Sequence, residues 1–205
     1  MATEELLVTL RHNPGIDPVL SVWGWEIPLY LYLGGLTAGL MVFAAVIVLA
    51  RREEQAPFAG RQAILLAPLV LSAGMLFLFL DLSHKLYVYR FYTTFEPTSP
   101  MSWGAWFLLL VYPASIALIL ASLRAGYPAL AAQAARVPGM SALMNAAERG
   151  RRPIAAVTLV SGAALGVYTG ILLSAFNARP FWNSGVLGPL FLVSGLSTAA
   201  ALIVL

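Results

Sequence analysis

The chain has 205 residues, 60% of them hydrophobic and 10% charged, with a mean hydropathy of +0.83. A soluble domain carries about 25% charged residues, so this sequence cannot cover itself with polar surface in water. Its net charge of +3 comes without any Lys/Arg cluster interleaved with aromatics, which argues against a nucleic-acid partner, and the lack of cysteine excludes disulfides and thiolate-held iron–sulfur clusters from these residues.

The opening stretch, MATEELLVTLRHNPGIDP, has neither a basic n-region nor an apolar h-region, so it does not read as a cleavable signal. Residues 1–26 form an N-terminal segment, and residues 27–205 read as one transmembrane bundle. Five apolar runs approach the roughly 20 residues that a spanning helix needs. They are Ile27 to Ala50, Ala63 to Leu80, Trp103 to Leu123, Ile154 to Phe176 and Val186 to Leu205. No run alternates polar and apolar residues as a barrel strand does. The expected fold is therefore all-α, a polytopic membrane helix bundle of five spanning helices.

Of the twelve basic residues, eight fall on the first and third connections, from Arg51 to Arg61 and from Arg124 to Arg152. Arg11, Lys85, Arg90 and Arg179 make the other four. Positive residues are retained in the cytoplasm, so the N-terminus is expected outside, in the periplasm. Most aromatics gather on that outer side, including Trp25, Tyr87, Tyr92, Trp103 and Trp106, as an interfacial belt would. The third connection, Ala125 to Arg152, is alanine-rich with Pro128 and Pro138, and reads as a solvated connector, with a short amphipathic helix on the cytoplasmic surface as the alternative. Gly35 and Gly39 in the first span, and Gly162, Gly166 and Gly170 in the fourth, offer flat stripes for close helix packing.

Candidate chemistry lies at the outer edge, in FLFLDLSHKLYVYRFYTTF. Asp81, His84 and Lys85 are spaced to share one helical face if the helix runs through them. One reading is an Asp81–Lys85 ion pair that anchors the helix end, with the basic side chain snorkelling outwards. The other is a proton-handling pair, a carboxylate at the edge of the low-dielectric layer beside a histidine. Glu26, in WGWEIPLY, either favours a helix N-terminus or joins the same site. Asn177, Arg179 and Asn183, in SAFNARPFWN, add donors on the same side. Acids, a histidine, amide donors and flat aromatics at several helix ends suit a planar, proton-coupled redox ligand such as a quinone.

The two histidines, His12 and His84, cannot supply a bis-histidine haem, because His12 precedes the first span. No span has an ionisable group near its middle, as a transport relay through the bilayer would need.

Three segments together resemble the NrfD/PsrC family of membrane subunits of polysulfide-reductase-like complexes. They are WGWEIPLYLYLGGLTAG, DLSHKLYVYRFYTTFEPTSPMSWGAW and GVYTGILLSAFNARPFWNSGVLGPLFLVSGLSTAAAL. The resemblance implies a haem-free quinone-binding subunit in the bacterial inner membrane, taking menaquinone or ubiquinone. It also implies a ferredoxin-like iron–sulfur partner on the periplasmic side, joined to a molybdopterin or cytochrome subunit. Carried onto this sequence, it makes Asp81 and His84 the catalytic pair and Glu26, Trp103, Tyr168 and Arg179 the quinone-binding residues. Family members usually have eight or more helices, so the resemblance leaves two readings: a short member, or further helices beyond Leu205. A structural anchor for a soluble redox enzyme, without quinone chemistry of its own, is the competing functional expectation.

Overall fold

The computed structural model describes residues 24–175 and 183–205. All regular structure among these residues is helical. Five helices are long and apolar enough to cross a bilayer. The core of the bundle consists of α1 (Glu26–Leu49), α2 (Leu66–Asp81), α4 (Pro100–Gly126), α7 (Arg151–Ser174) and α8 (Leu187–Val204). Three short helices fill the connections: α3 (Arg90–Thr93), α5 (Pro128–Ala134) and α6 (Met140–Arg149). The expected spans are met closely, and the end of the fourth, Phe176, lies outside the described residues. The second begins earlier than expected, with a π turn over Phe58–Gln62 and a 3-10 turn over Ala63–Leu65 leading into α2. Helices close every backbone hydrogen bond within themselves, which the hydrocarbon layer requires.

The α1 helix is the hub, packed against α2, α7 and α8, while α7 also packs against α4 and α8. The sequence of α1 explains that position. Gly34, Gly35, Thr37, Ala38, Gly39, Ala44 and Ala45 are all buried, and such small residues let neighbours approach on several sides. A Cβ on Gly39 would strike the backbone of Gly195 and the side chain of Ala199, so α1 and α8 touch almost backbone to backbone. In the same way, Gly170 on α7 lies against Leu187 and Gly188 at the start of α8. Both glycine stripes thus serve helix packing.

Hydroxyl groups join the helices. Thr37 Oγ1 donates to Leu33 O on its own helix at 2.8 Å and lies 3.4 Å from Ala67 O near the start of α2. Thr158 Oγ1 reaches Ile154 O at 2.9 Å and crosses to Ala114 O of α4 at 3.2 Å. Each bond stays local or satisfies a neighbour's carbonyl where no water is available. By contrast, α2 and α4 touch little, meeting at Ser72 Oγ and Tyr112 Oη, 3.0 Å apart.

The third connection is not a solvated connector. Its helices α5 and α6 fold back on the end of α4, and Ala131 and Met144 are buried with Leu123 in a small core of their own. Met140, Met144 and Ala147 recur at helical spacing, so α6 has one apolar face to bury. The polar flank of α6 is tied to α4: Arg124 Nη1 donates to Asn145 Oδ1 at 2.6 Å and to Glu148 Oε2 at 3.0 Å. Beside it, Arg151 at the start of α7 pairs with Glu53 of the first connection at 3.1 Å.

Candidate functional site

Because α2 and α4 diverge at the end opposite this arginine-rich region, they leave a cavity of about 350 Å³ between α1, α2, α4 and α7. Its wall is mostly apolar: Ile27 and Leu31 from α1, Met75, Leu78 and Phe79 from α2, Leu108 from α4, Leu172 and Leu173 from α7. The polar groups are few. Among the described residues Asp81 is the single carboxylate lining it, accompanied by Ser83 and by Tyr30, Tyr92 and Tyr168. A largely apolar pocket with a handful of convergent polar groups is the usual form of a small-molecule site.

Asp81 reaches this position because α2 stops there. Leu82 turns to an extended conformation (ψ 124°), and the backbone then runs through the 3-10 turn Lys85–Tyr87 into α3, closing over the cavity. The expectation that Asp81, His84 and Lys85 share one helical face is corrected by this break. Lys85 Nζ instead donates to Leu82 O at 3.1 Å, and no Asp81–Lys85 ion pair forms among the described residues.

His84 lines a second, more open cleft of about 410 Å³ with Tyr87, Arg90, Thr94, Glu96, Ser99 and Ser102. The two spaces share Leu82, Ser83 and Phe91 as a common wall. Asp81 therefore lines one of two adjoining spaces and His84 the other. In the outer cleft, the Arg90 guanidinium sits 4.7 Å above the Tyr87 ring. Hydrogen bonds from the Thr98 hydroxyl and backbone hold the Glu96 carboxyl below the usual carboxylate range. Burial, with Tyr112 nearby, raises the Tyr92 phenol, which stays neutral and able to donate.

Tyr168 is buried on α7, its hydroxyl against Gly104 of α4 and its ring 5.5 Å from that of Phe107. Only a glycine leaves room for that hydroxyl, since a Cβ at position 104 would overlap it. Glu26 and Trp103 line neither space. Glu26 is in the first turn of α1, where the helix dipole favours an anion. The Trp103 indole donates to Pro97 O at 2.9 Å, bracing the loop before α4. Asn177 and Arg179 lie outside the described residues, while Asn183 is exposed ahead of α8.

Tyr30 and Ser83 line the cavity without having been singled out from the sequence. For Tyr30 a signal exists: it follows Glu26 by four positions in an otherwise aliphatic turn, so it shares that residue's face. Ser83 carries none, because its place depends on where α2 breaks.

The family model described as polysulphide reductase, NrfD, matches residues 12–205. The sequence is 33% identical over 178 residues to a polysulfide reductase polypeptide of Wolinella succinogenes, an alignment spanning 86% of this protein and 55% of that one. It is also 33% identical over 190 residues to protein NrfD of Escherichia coli, spanning 88% of this protein and 58% of that one. With a selenate reductase subunit of Mesobacillus selenatarsenatis it shares 28% identity over 206 residues, 89% of this protein and 47% of the relative. The chain spans about half the length of these curated relatives. A helical membrane bundle whose whole described structure falls within the family match belongs to the NrfD family of polysulphide-reductase-type membrane proteins.

Proposed function

We propose that this chain is a haem-free, quinone-binding subunit of a respiratory oxidoreductase complex in the bacterial inner membrane. It exchanges electrons and protons between membrane quinone and a periplasmic iron–sulfur partner, itself joined to a molybdopterin or cytochrome subunit. The observation that carries this reading is the cavity of about 350 Å³ with a carboxylate, Asp81, at the end of a spanning helix. Its volume lies in the range of about 300–1,000 Å³ typical of ligand pockets, and its phenol donors and apolar walls match a flat ring with polar oxygens and a greasy tail.

A quinone would supply two-electron, two-proton redox chemistry there. The protein's own residues would then do the following. Tyr168, fixed against Gly104, and Tyr30 are placed to donate hydrogen bonds and orient a ring carbonyl. Asp81 exchanges a proton with the ligand, as a carboxylate within hydrogen-bond reach of a reacting oxygen does. His84 passes that proton between the shared wall at Leu82–Ser83 and the open cleft. Electrons arrive from a partner subunit, since these residues include no cysteine to hold a cluster. Two of the relatives are named as parts of a polysulfide reductase and a selenate reductase, which supports such a multi-subunit setting.

The test is Asp81→Asn in the assembled complex, with turnover measured against quinone and against an artificial dye that bypasses the membrane subunit. Quinone-linked turnover is expected to fall by about 100-fold or more, the usual scale for losing a general acid–base group, while dye-linked turnover and assembly persist. Unchanged quinone-linked turnover would remove Asp81 from the mechanism, and insensitivity of the assembled complex to quinone-site inhibitors would leave the protein as a structural anchor.

A further inference from the structure

The α5–α6 hairpin leaves α4 at Gly126 and returns to α7 at Arg151, so both of its ends lie at the ends of spanning helices and it sits at the membrane boundary. Its own packing is lopsided. At about 100° per residue, Met140, Met144 and Ala147 form the face of α6 turned to the bundle. Glu148 and Asn145 on one flank are tied to Arg124. On the other flank Leu143 has no such cover and is 51% exposed. Leu130 of α5 and Val137 of the turn between the helices are also exposed. Three large apolar side chains are thus exposed on a hairpin whose small core Leu123, Ala131 and Met144 close.

Charge points the same way. The first and third connections carry eight arginines against three acids, Glu53, Glu54 and Glu148. Two of those acids are used up internally, by Arg151 and Arg124. Arg136, Arg149 and Arg152 are exposed around the hairpin and form no ion pair among the described residues. Exposed apolar residues with exposed arginines around them are what an interfacial element on an anionic bilayer presents.

From these observations we infer that the α5–α6 hairpin is a lipid-binding element. It seats Leu130, Val137 and Leu143 at the headgroup–acyl boundary and holds anionic lipid headgroups with Arg136 and Arg152. This does not depend on what the cavity at the other end binds.

The lack of cysteine in the sequence makes the test direct. Leu143→Cys, Val137→Cys and, as a control on the far side of α6, Ala142→Cys are each spin-labelled in the full-length protein. The labelled proteins are reconstituted in phosphatidylcholine vesicles with and without phosphatidylglycerol. Depth is read from relaxation by oxygen against a water-soluble nickel reagent. Labels at 143 and 137 are expected about 5–10 Å below the headgroups, deeper with phosphatidylglycerol, while the label at 142 stays aqueous. Arg136→Gln with Arg152→Gln should remove the dependence on phosphatidylglycerol. The inference is overturned if Leu143→Cys is as aqueous as Ala142→Cys, or if depth ignores lipid charge. It is also overturned if, in native membranes, the label is shielded from both reagents, because a protein partner would then cover the flank. Two independent exposed positions keep the test valid if one variant folds poorly.

Discussion

The two ends of this bundle solve opposite problems. At the arginine-rich end, polar groups find each other: Arg124 with Glu148 and Asn145, Arg151 with Glu53, and a hairpin that folds back to bury Met144. At the other end α2 stops at Asp81, α2 and α4 spread apart, and a carboxylate and three phenols are left lining a space rather than one another. An end that satisfies its own polar groups gains stability, whereas an end that leaves them facing a cavity has capacity to hold a ligand. The same helices pack tightly through the middle, where Gly39 and Gly195 meet, so the difference is local to the ends.

That contrast can be broken most severely at Asp81, where Asn is expected to cost about 100-fold in quinone-linked turnover. A change at the opposite end, Glu148→Gln, should leave turnover unaltered, and equal loss in both variants would erase the distinction. The next largest effect is expected from Gly104→Ala. The added Cβ overlaps the Tyr168 hydroxyl and must push its ring from the cavity wall. An overpacking penalty of about 1–3 kcal/mol at the binding step corresponds to a roughly 5- to 150-fold higher KM for quinone, with assembly intact.

At the arginine end the readout is stability. The Arg151–Glu53 pair is mostly enclosed, its side chains 23% and 16% exposed. Glu53→Gln should therefore lower stability by about 1–3 kcal/mol in thermal unfolding in detergent, the scale of a lost charged hydrogen bond. The Arg124–Glu148 pair is 40% and 36% exposed, so Glu148→Gln should cost only about 0.2–1 kcal/mol and less in high salt. The smallest effect belongs to Glu96. Its carboxyl is held below the usual carboxylate range by Thr98, so that interaction is present above the usual value and is lost as pH falls through the lower folded one. Thr98→Val should return the Glu96 titration toward the ordinary range in a carbon-13 NMR experiment.

Much of the architecture was legible because hydrocarbon-length apolar runs leave helices little alternative, and the observed helices begin and end close to the expected positions. The glycine stripes were equally readable, since small residues four apart have one common structural use. The hairpin at residues 128–149 was legible only as an alternative, a short amphipathic helix, because its alanines dilute the periodicity of Met140, Met144 and Ala147 over the connection as a whole. At the cavity, Asp81 was visible as a charge at a span end, whereas Tyr168 entered only through the family resemblance of GVYTG. Their meeting with Tyr30 depends on how α2 and α4 spread apart beside α1 and α7, which no local pattern records. The break after Asp81 has no proline or glycine to mark it, so His84 was expected on the same face and instead opens into the outer cleft.

Photolabelling with a light-activated quinone analogue, followed by mass spectrometric mapping of the adducts, tests the central claim most directly. Adducts on the cavity wall, at Tyr30, Asp81, Leu108 or Tyr168, that vanish when excess unlabelled quinone is present are the predicted result. Adducts scattered over the lipid-facing sides of α2 and α8, unaffected by competing quinone, would contradict it.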